Sequence, residues 1–136
     1  MTEKIIVLAG KRKTAIAKVR IVPGKGAITF NHLPYTELNL FHKLALAEPL
    51  RIYSRELGED LNYDFHIVAT GGGKESQIEA ARLVLARALL RITESDTLKK
   101  AFLSYDRNMV VQDVRRKEER KPGDSKTRAK RQKSYR

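Results

Sequence analysis

The distribution of charge restricts this chain more than any other feature of its sequence. Residues 115–136 carry eleven lysines and arginines against three acids, and from Lys121 onward no aliphatic side chain is larger than Ala129. Such a segment cannot bury enough apolar surface to offset about 1–2 kcal/mol of backbone entropy per residue, so it is expected to be disordered in the free protein. Residues 26–114 hold ten bases and twelve acids together with most of the large apolar residues, and any core must be built there. Residues 1–25 return to seven bases and one acid. The sequence therefore divides into a globular body, 1–114, and an extended basic tail, 115–136, with positive charge at both ends of a near-neutral middle.

Over 136 residues the formal charge is +12, which points to a polyanionic partner. A domain of this size buries about two-thirds of its unfolded surface, so one domain with a real core is expected. With no cysteine, disulfide scaffolds, thiolate zinc sites and cysteine nucleophiles are excluded. No apolar run approaches the roughly 20 residues that span a bilayer, and the run at 5–9 is too short for a signal-peptide core. A soluble, intracellular protein is the expectation.

Apolar periodicity supplies the elements. Residues 5–9 read as a strand, and 15–22 alternate, with Ala17, Val19 and Ile21 on one face and Lys18 and Arg20 on the other. Pro23-Gly24-Lys25-Gly26 is turn chemistry, followed by a short third strand at 27–30. Pro34 is suited to opening a short helix through Leu40, and helical composition continues through Ala47 until Pro49 interrupts it. Residues 63–70 form the fourth strand. The strongest helical signal covers 74–93, where Ile78, Ala81, Leu85, Ala88, Leu89 and Ile92 recur at spacings of three and four. Leu83 and Leu90 lie on another side of it and call for a second cover, for which 96–105 is suited. The order β-β-β-α-β-α-α predicts an α+β fold: a four-stranded mixed sheet with helices packed on one face.

Two loops carry candidate phosphate contacts. Lys11-Arg12-Lys13 lies between the first two strands, with Lys18, Arg20 and Lys25 nearby, and neutralisation of phosphates supplies most sequence-independent affinity for nucleic acid. Gly71-Gly72-Gly73-Lys74 joins a strand to a helix, where free N–H groups and the helix dipole favour an anion; a tight structural turn is the competing explanation. The spacing fits neither a Walker loop nor the dinucleotide fingerprint. His32, His42 and His66 lack paired spacing, so no metal is expected, and acid pairs such as Glu59-Asp60 are adjacent rather than convergent. Neither catalysis nor a cofactor is expected. The bases of the last segment, Arg115, Arg116, Lys117, Arg120, Lys121, Lys126, Arg128, Lys130 and Arg131, extend the candidate RNA-binding set, and Tyr135 is the one aromatic among the tail bases.

Gly10-Lys11-Arg12-Lys13-Thr14-Ala15, Pro23-Gly24-Lys25-Gly26, Gly71-Gly72-Gly73 and the ending Arg131-Gln132-Lys133-Ser134-Tyr135-Arg136 together resemble the small-subunit ribosomal protein nine family. The ending resembles its archaeal and eukaryotic branch, and the compact length its archaeal members. The resemblance implies an rRNA-binding protein of the small-subunit head, working in the cytoplasm among neighbouring ribosomal proteins. It implies a β-α-β body with a left-handed crossover, and a tail that threads toward the decoding region. There Arg136, with Lys133 and Tyr135 behind it, would approach the anticodon stem-loop of peptidyl-site tRNA. Asp124-Ser125 departs from the bases or small residues expected in mid-tail. The alternative from another class is a free-standing RNA chaperone or general nucleic-acid binding module.

Overall fold

The computed structural model describes residues 5–120 together with Pro122 and Thr127. Strands β1 (Ile6–Arg12) and β2 (Ala15–Pro23) form an antiparallel hairpin with Lys13 and Thr14 at its tip. β2 also pairs antiparallel with β5 (Tyr63–Thr70), which pairs parallel with β3 (Ile28–Phe30). The parallel pair is joined through helix α1 (Leu40–Leu57), and β5 leads into α2 (Lys74–Thr93) and then α3 (Asp96–Tyr105). The mixed α+β architecture expected from the element order is present.

The sheet has a fifth strand, β4 (Leu33–Pro34), which extends the order to β1-β2-β5-β3-β4. Asn31 and His32 turn the chain between β3 and β4, both with positive φ, at 49° and 70°. Two-residue hairpins need that geometry, and glycine usually supplies it. Here β5 fixes it instead: Asn31 N–H donates to the Ile67 carbonyl at 2.8 Å, and Ala69 N–H donates to Asn31 Oδ1 at 2.9 Å. The expected short helix opening at Pro34 is only a 3-10 turn at Tyr35–Glu37, with α1 starting afresh at Leu40.

Pro49 does not interrupt α1, which runs on to Leu57 and closes with Gly58 in the left-handed region. An internal proline costs roughly 3 kcal/mol through its missing N–H and its clash with the preceding turn. Pro49 is fully buried in a helix whose Leu46, Ile52 and Tyr53 are also buried, and this packing offsets the penalty. At about 1.5–3 kcal/mol for each large apolar side chain removed from water, tertiary burial outweighs local propensity.

The inward positions in the middle of the central strands are buried: Ala17, Val19 and Ile21 of β2, Ile28 and Phe30 of β3, and Phe65, Ile67 and Ala69 of β5. Helix α2 lies across β1, β2 and β5, α1 covers the other side of α2, and α3 packs mainly on α1. Of the two residues expected to need a second cover, Leu83 lies against Gly10 of β1, and α1 packs on α2 more extensively than 96–105 does. Close approach of α2 depends on Gly10, where an added Cβ would lie 2.7 Å from Val84 Cγ2 and 3.1 Å from Leu83 Cδ2. All three helices occupy one face of the sheet, and the opposite face stays open.

Candidate nucleic-acid interface

Strand alternation sorts the basic residues of the body. In β2, Lys18 and Arg20 are exposed on the open face, between buried Ala17, Val19 and Ile21. Register aligns Arg20 with Val7 of β1 and His66 of β5, and His66 with Thr29 of β3, in a row across the sheet. The next row aligns Ala9, Lys18 and Val68, and the one after it Lys11, Ile16 and Thr70. Lys18 and Arg20 are where the alternation placed them. His66, Thr29, Val7 and Val68 were not among the sequence candidates, although the same period of two in 63–70 sets His66, Val68 and Thr70 opposite Phe65, Ile67 and Ala69.

The three consecutive bases do not act alike. Lys11 and Arg12 belong to β1 rather than to a loop, and only Lys13 is in the turn, with φ of 55°. Lys11 and Lys13 are exposed. Arg12 points to the helical side, where Nε donates to Glu79 Oε2 at 2.6 Å and Nη1 to Asp113 Oδ2 at 2.7 Å. Its charge is met within the protein.

The glycine loop meets the same corner. Gly71 and Gly72 have φ of 76° and 60°, and a Cβ on Gly71 would lie 2.7 Å from the Thr14 carbonyl oxygen. Close packing against the β1–β2 turn is therefore a sufficient reason for these two glycines. Gly73 is different: its φ is −97°, nothing crowds it, and it caps α2 without a side-chain bond. Lys11, Lys13, the start of α2 and Lys74 thus share one end of the molecule.

Lys25 lies at the opposite end of β2. The N–H groups of Lys25, Gly26 and Ala27 form a concave nest of the kind that binds anions. All three donate to Asp64 Oδ1, at 3.0, 3.1 and 2.9 Å. The bond from Ala27 is the main reason the Asp64 carboxyl titrates below its ordinary range. The backbone of this loop has its anion already, and the Lys25 side chain is exposed.

Asp113 follows the last 3-10 turn, Arg107–Met109, and precedes the run of bases that begins at Arg115. Its carboxylate accepts from Arg12 and from the backbone N–H and guanidinium of Arg115, with Arg115 Nη2 at 2.9 Å. The Arg115 side-chain bond is the largest of the effects that lower its pKa to about 2. Arg115, Arg116, Lys117 and Arg120 are exposed. Lys121, Lys126, Arg128, Lys130, Arg131, Lys133, Tyr135 and Arg136, and with them the expectation of a disordered tail, lie outside the described residues.

The family model for ribosomal protein S9/S16 matches residues 10–136 of this chain. The chain belongs to that family. Its relatives include the small ribosomal subunit protein uS9 of Methanococcus vannielii, 40% identical over 98% of this chain and 99% of that protein. The uS9 of Methanococcus maripaludis strain C7 is 41% identical over the same shares. The resemblance to archaeal members is borne out, and the chain is a ribosomal protein of the S9 type. On the body, helices and ion pairs close one face of the sheet, while Lys11, Lys18 and Arg20 remain exposed on the other and Lys13, Lys25 and Lys74 at its ends.

Proposed function

We propose that the protein is a structural component of the small-subunit head in the cytoplasmic ribosome. Its body binds rRNA, and its C-terminal tail contacts the anticodon stem-loop of peptidyl-site tRNA. Family membership supports the ribosomal assignment, with rRNA and neighbouring ribosomal proteins as partners. The observation that carries the mode of binding is the segregation of charge on the folded body. Lys11, Lys13, Lys18, Arg20, Lys25 and Lys74 are exposed, whereas Arg12 is engaged internally. Phosphate neutralisation by such groups gives affinity without needing a pocket. Arg115, Arg116, Lys117 and Arg120 are exposed as well and add to the candidate phosphate contacts.

The tail reading rests on reach and chemistry. Lys121 to Arg136 is sixteen residues, and at about 3.3 Å per residue a chain of that length can reach at most roughly 50 Å. The Arg136 guanidinium grips a phosphate in a bidentate fork that lysine does not reproduce, and Tyr135 stacks on a base or ribose. Filter binding of tRNA to purified subunits carrying full-length protein or a chain lacking Arg136 tests this. One charge-assisted contact at about 1–2 kcal/mol predicts a five- to thirtyfold loss of tRNA affinity, in the range expected for a single such bond. Assembly should be intact and Arg136→Lys should recover part of the loss. Equal affinities would make the tail tip a passive extension.

A further inference from the structure

We propose that the open face of the sheet is a docking platform for double-stranded, A-form RNA, held through ribose hydroxyls and phosphates rather than through unpaired bases. The inference rests on the rRNA-binding reading and names the surface and the form of RNA it takes.

Charge favours a polyanion on this face. Lys11, Lys18 and Arg20 point outward, and Asp64 is the one carboxylate among the outward positions of β1, β2, β3 and β5. Its Oδ1 already accepts three backbone N–H groups. The helical side, by contrast, mixes its bases with exposed acids such as Glu37, Glu59, Glu75 and Glu94. Two strand positions separate Lys18 from Arg20, about 7 Å, so they can engage successive points along one backbone.

The remaining side chains decide the form of RNA. Single strands are held by stacking on aromatic rings, worth about 1–3 kcal/mol per base. Among the described residues, no Phe or Tyr occupies an outward position of β1, β2, β3 or β5. What stands there is a hydroxyl and imidazole set: Thr29 Oγ1 lies 2.9 Å from His66 Nδ1, in the row with Arg20. Beside it are small aliphatic surfaces, with Val7 60% and Val68 41% exposed. A shallow depression of about 470 Å³ runs between them, bordered by Lys18, Arg20 and His66. Donors and acceptors for hydroxyls, bases for phosphates and a low apolar floor for sugars match the wide, shallow minor groove of an RNA helix, which displays its 2′-hydroxyls.

The test uses the full chain and three probes of one sequence: an RNA stem-loop, its unpaired strand and the corresponding DNA duplex. Fluorescence anisotropy should show the stem-loop bound about tenfold more tightly than the DNA duplex, a difference of roughly 1.4 kcal/mol. Lys18→Gln with Arg20→Gln should weaken stem-loop binding by about tenfold and reduce the salt dependence by roughly two phosphates. Val7→Glu, which places a carboxylate beside Arg20 without removing a base, should weaken it likewise. Lys99→Gln with Lys100→Gln removes the same charge from exposed positions of α3, which packs on helices, and should leave binding within about twofold. Unchanged melting curves establish that the variants fold. If the wild type binds RNA and the sheet-face variants bind equally well, the platform is refuted while the rRNA reading stands. Preference for the unpaired strand, or for the DNA duplex, refutes the A-form assignment. A wild type that binds none of the RNA probes at low salt overturns the rRNA reading itself.

Discussion

Arg12 donates to Asp113 at 2.7 Å, tying the end of the first strand to the residue just before the basic C-terminal segment. The guanidinium also holds Glu79 of α2, and the Asp113 carboxylate also accepts from Arg115. Strand, helix and tail root therefore meet at one group of charges.

The pH dependence of that junction has a definite sign. Asp113 titrates at about 2 in the folded protein, below its ordinary 3.8. A depressed carboxylate stabilises the fold above its unfolded pKa, and the contribution is lost as pH falls from about 4 through about 2. Asp113→Asn should melt a few degrees below wild type at neutral pH. Thermal melts at intervals down to pH 2 should show the difference shrinking over that window; a difference independent of pH would contradict the assignment.

The three adjacent bases should separate in mutagenesis. Lys11→Ala with Lys13→Ala removes two exposed charges, so the slope of log affinity against log salt should fall by about 1.4–1.8. Stability should move by less than about 0.5 kcal/mol. Arg12→Ala should instead leave Glu79 without its cation and Asp113 with Arg115 alone, and lower the melting temperature with little change in the slope. Denaturation curves and salt titrations of both variants check this.

Much of the fold was legible because its signals are local. The alternation of 15–22 and 63–70 and the three-four spacing of 74–93 report which side of an element meets the core. What escaped depends on distant partners. Asn31-His32 makes a tight turn without glycine because β5 bonds to Asn31, and α1 survives Pro49 because that proline is buried. Arg12 was hidden by its neighbours: a run of three bases suggests a solvated loop, yet Gly10 and Arg12 share the inward side of β1. The nest closed by Asp64 joins residues 37–39 apart in sequence, beyond any local pattern.

The glycines of the α2 loop should likewise behave individually. Gly71→Ala forces a Cβ against the Thr14 carbonyl at positive φ and should cost about 1–3 kcal/mol. Gly73→Ser has room and supplies a capping oxygen, so it should be neutral or stabilise by a few tenths of a kcal/mol. Urea denaturation distinguishes the two. If both were destabilising to the same extent, packing against the β1–β2 turn would not explain the loop.

Sedimentation decides whether this structural rRNA-binding protein is held in the small subunit by more than diffuse charge. After a moderately high-salt wash, ribosomes from the source cells should be separated into subunits and each fraction probed for the protein. The protein should stay with the small subunit in stoichiometric amount, since contacts from the body and from the C-terminal segment act together. Recovery in the free fraction after the wash would contradict this and favour a free-standing RNA chaperone.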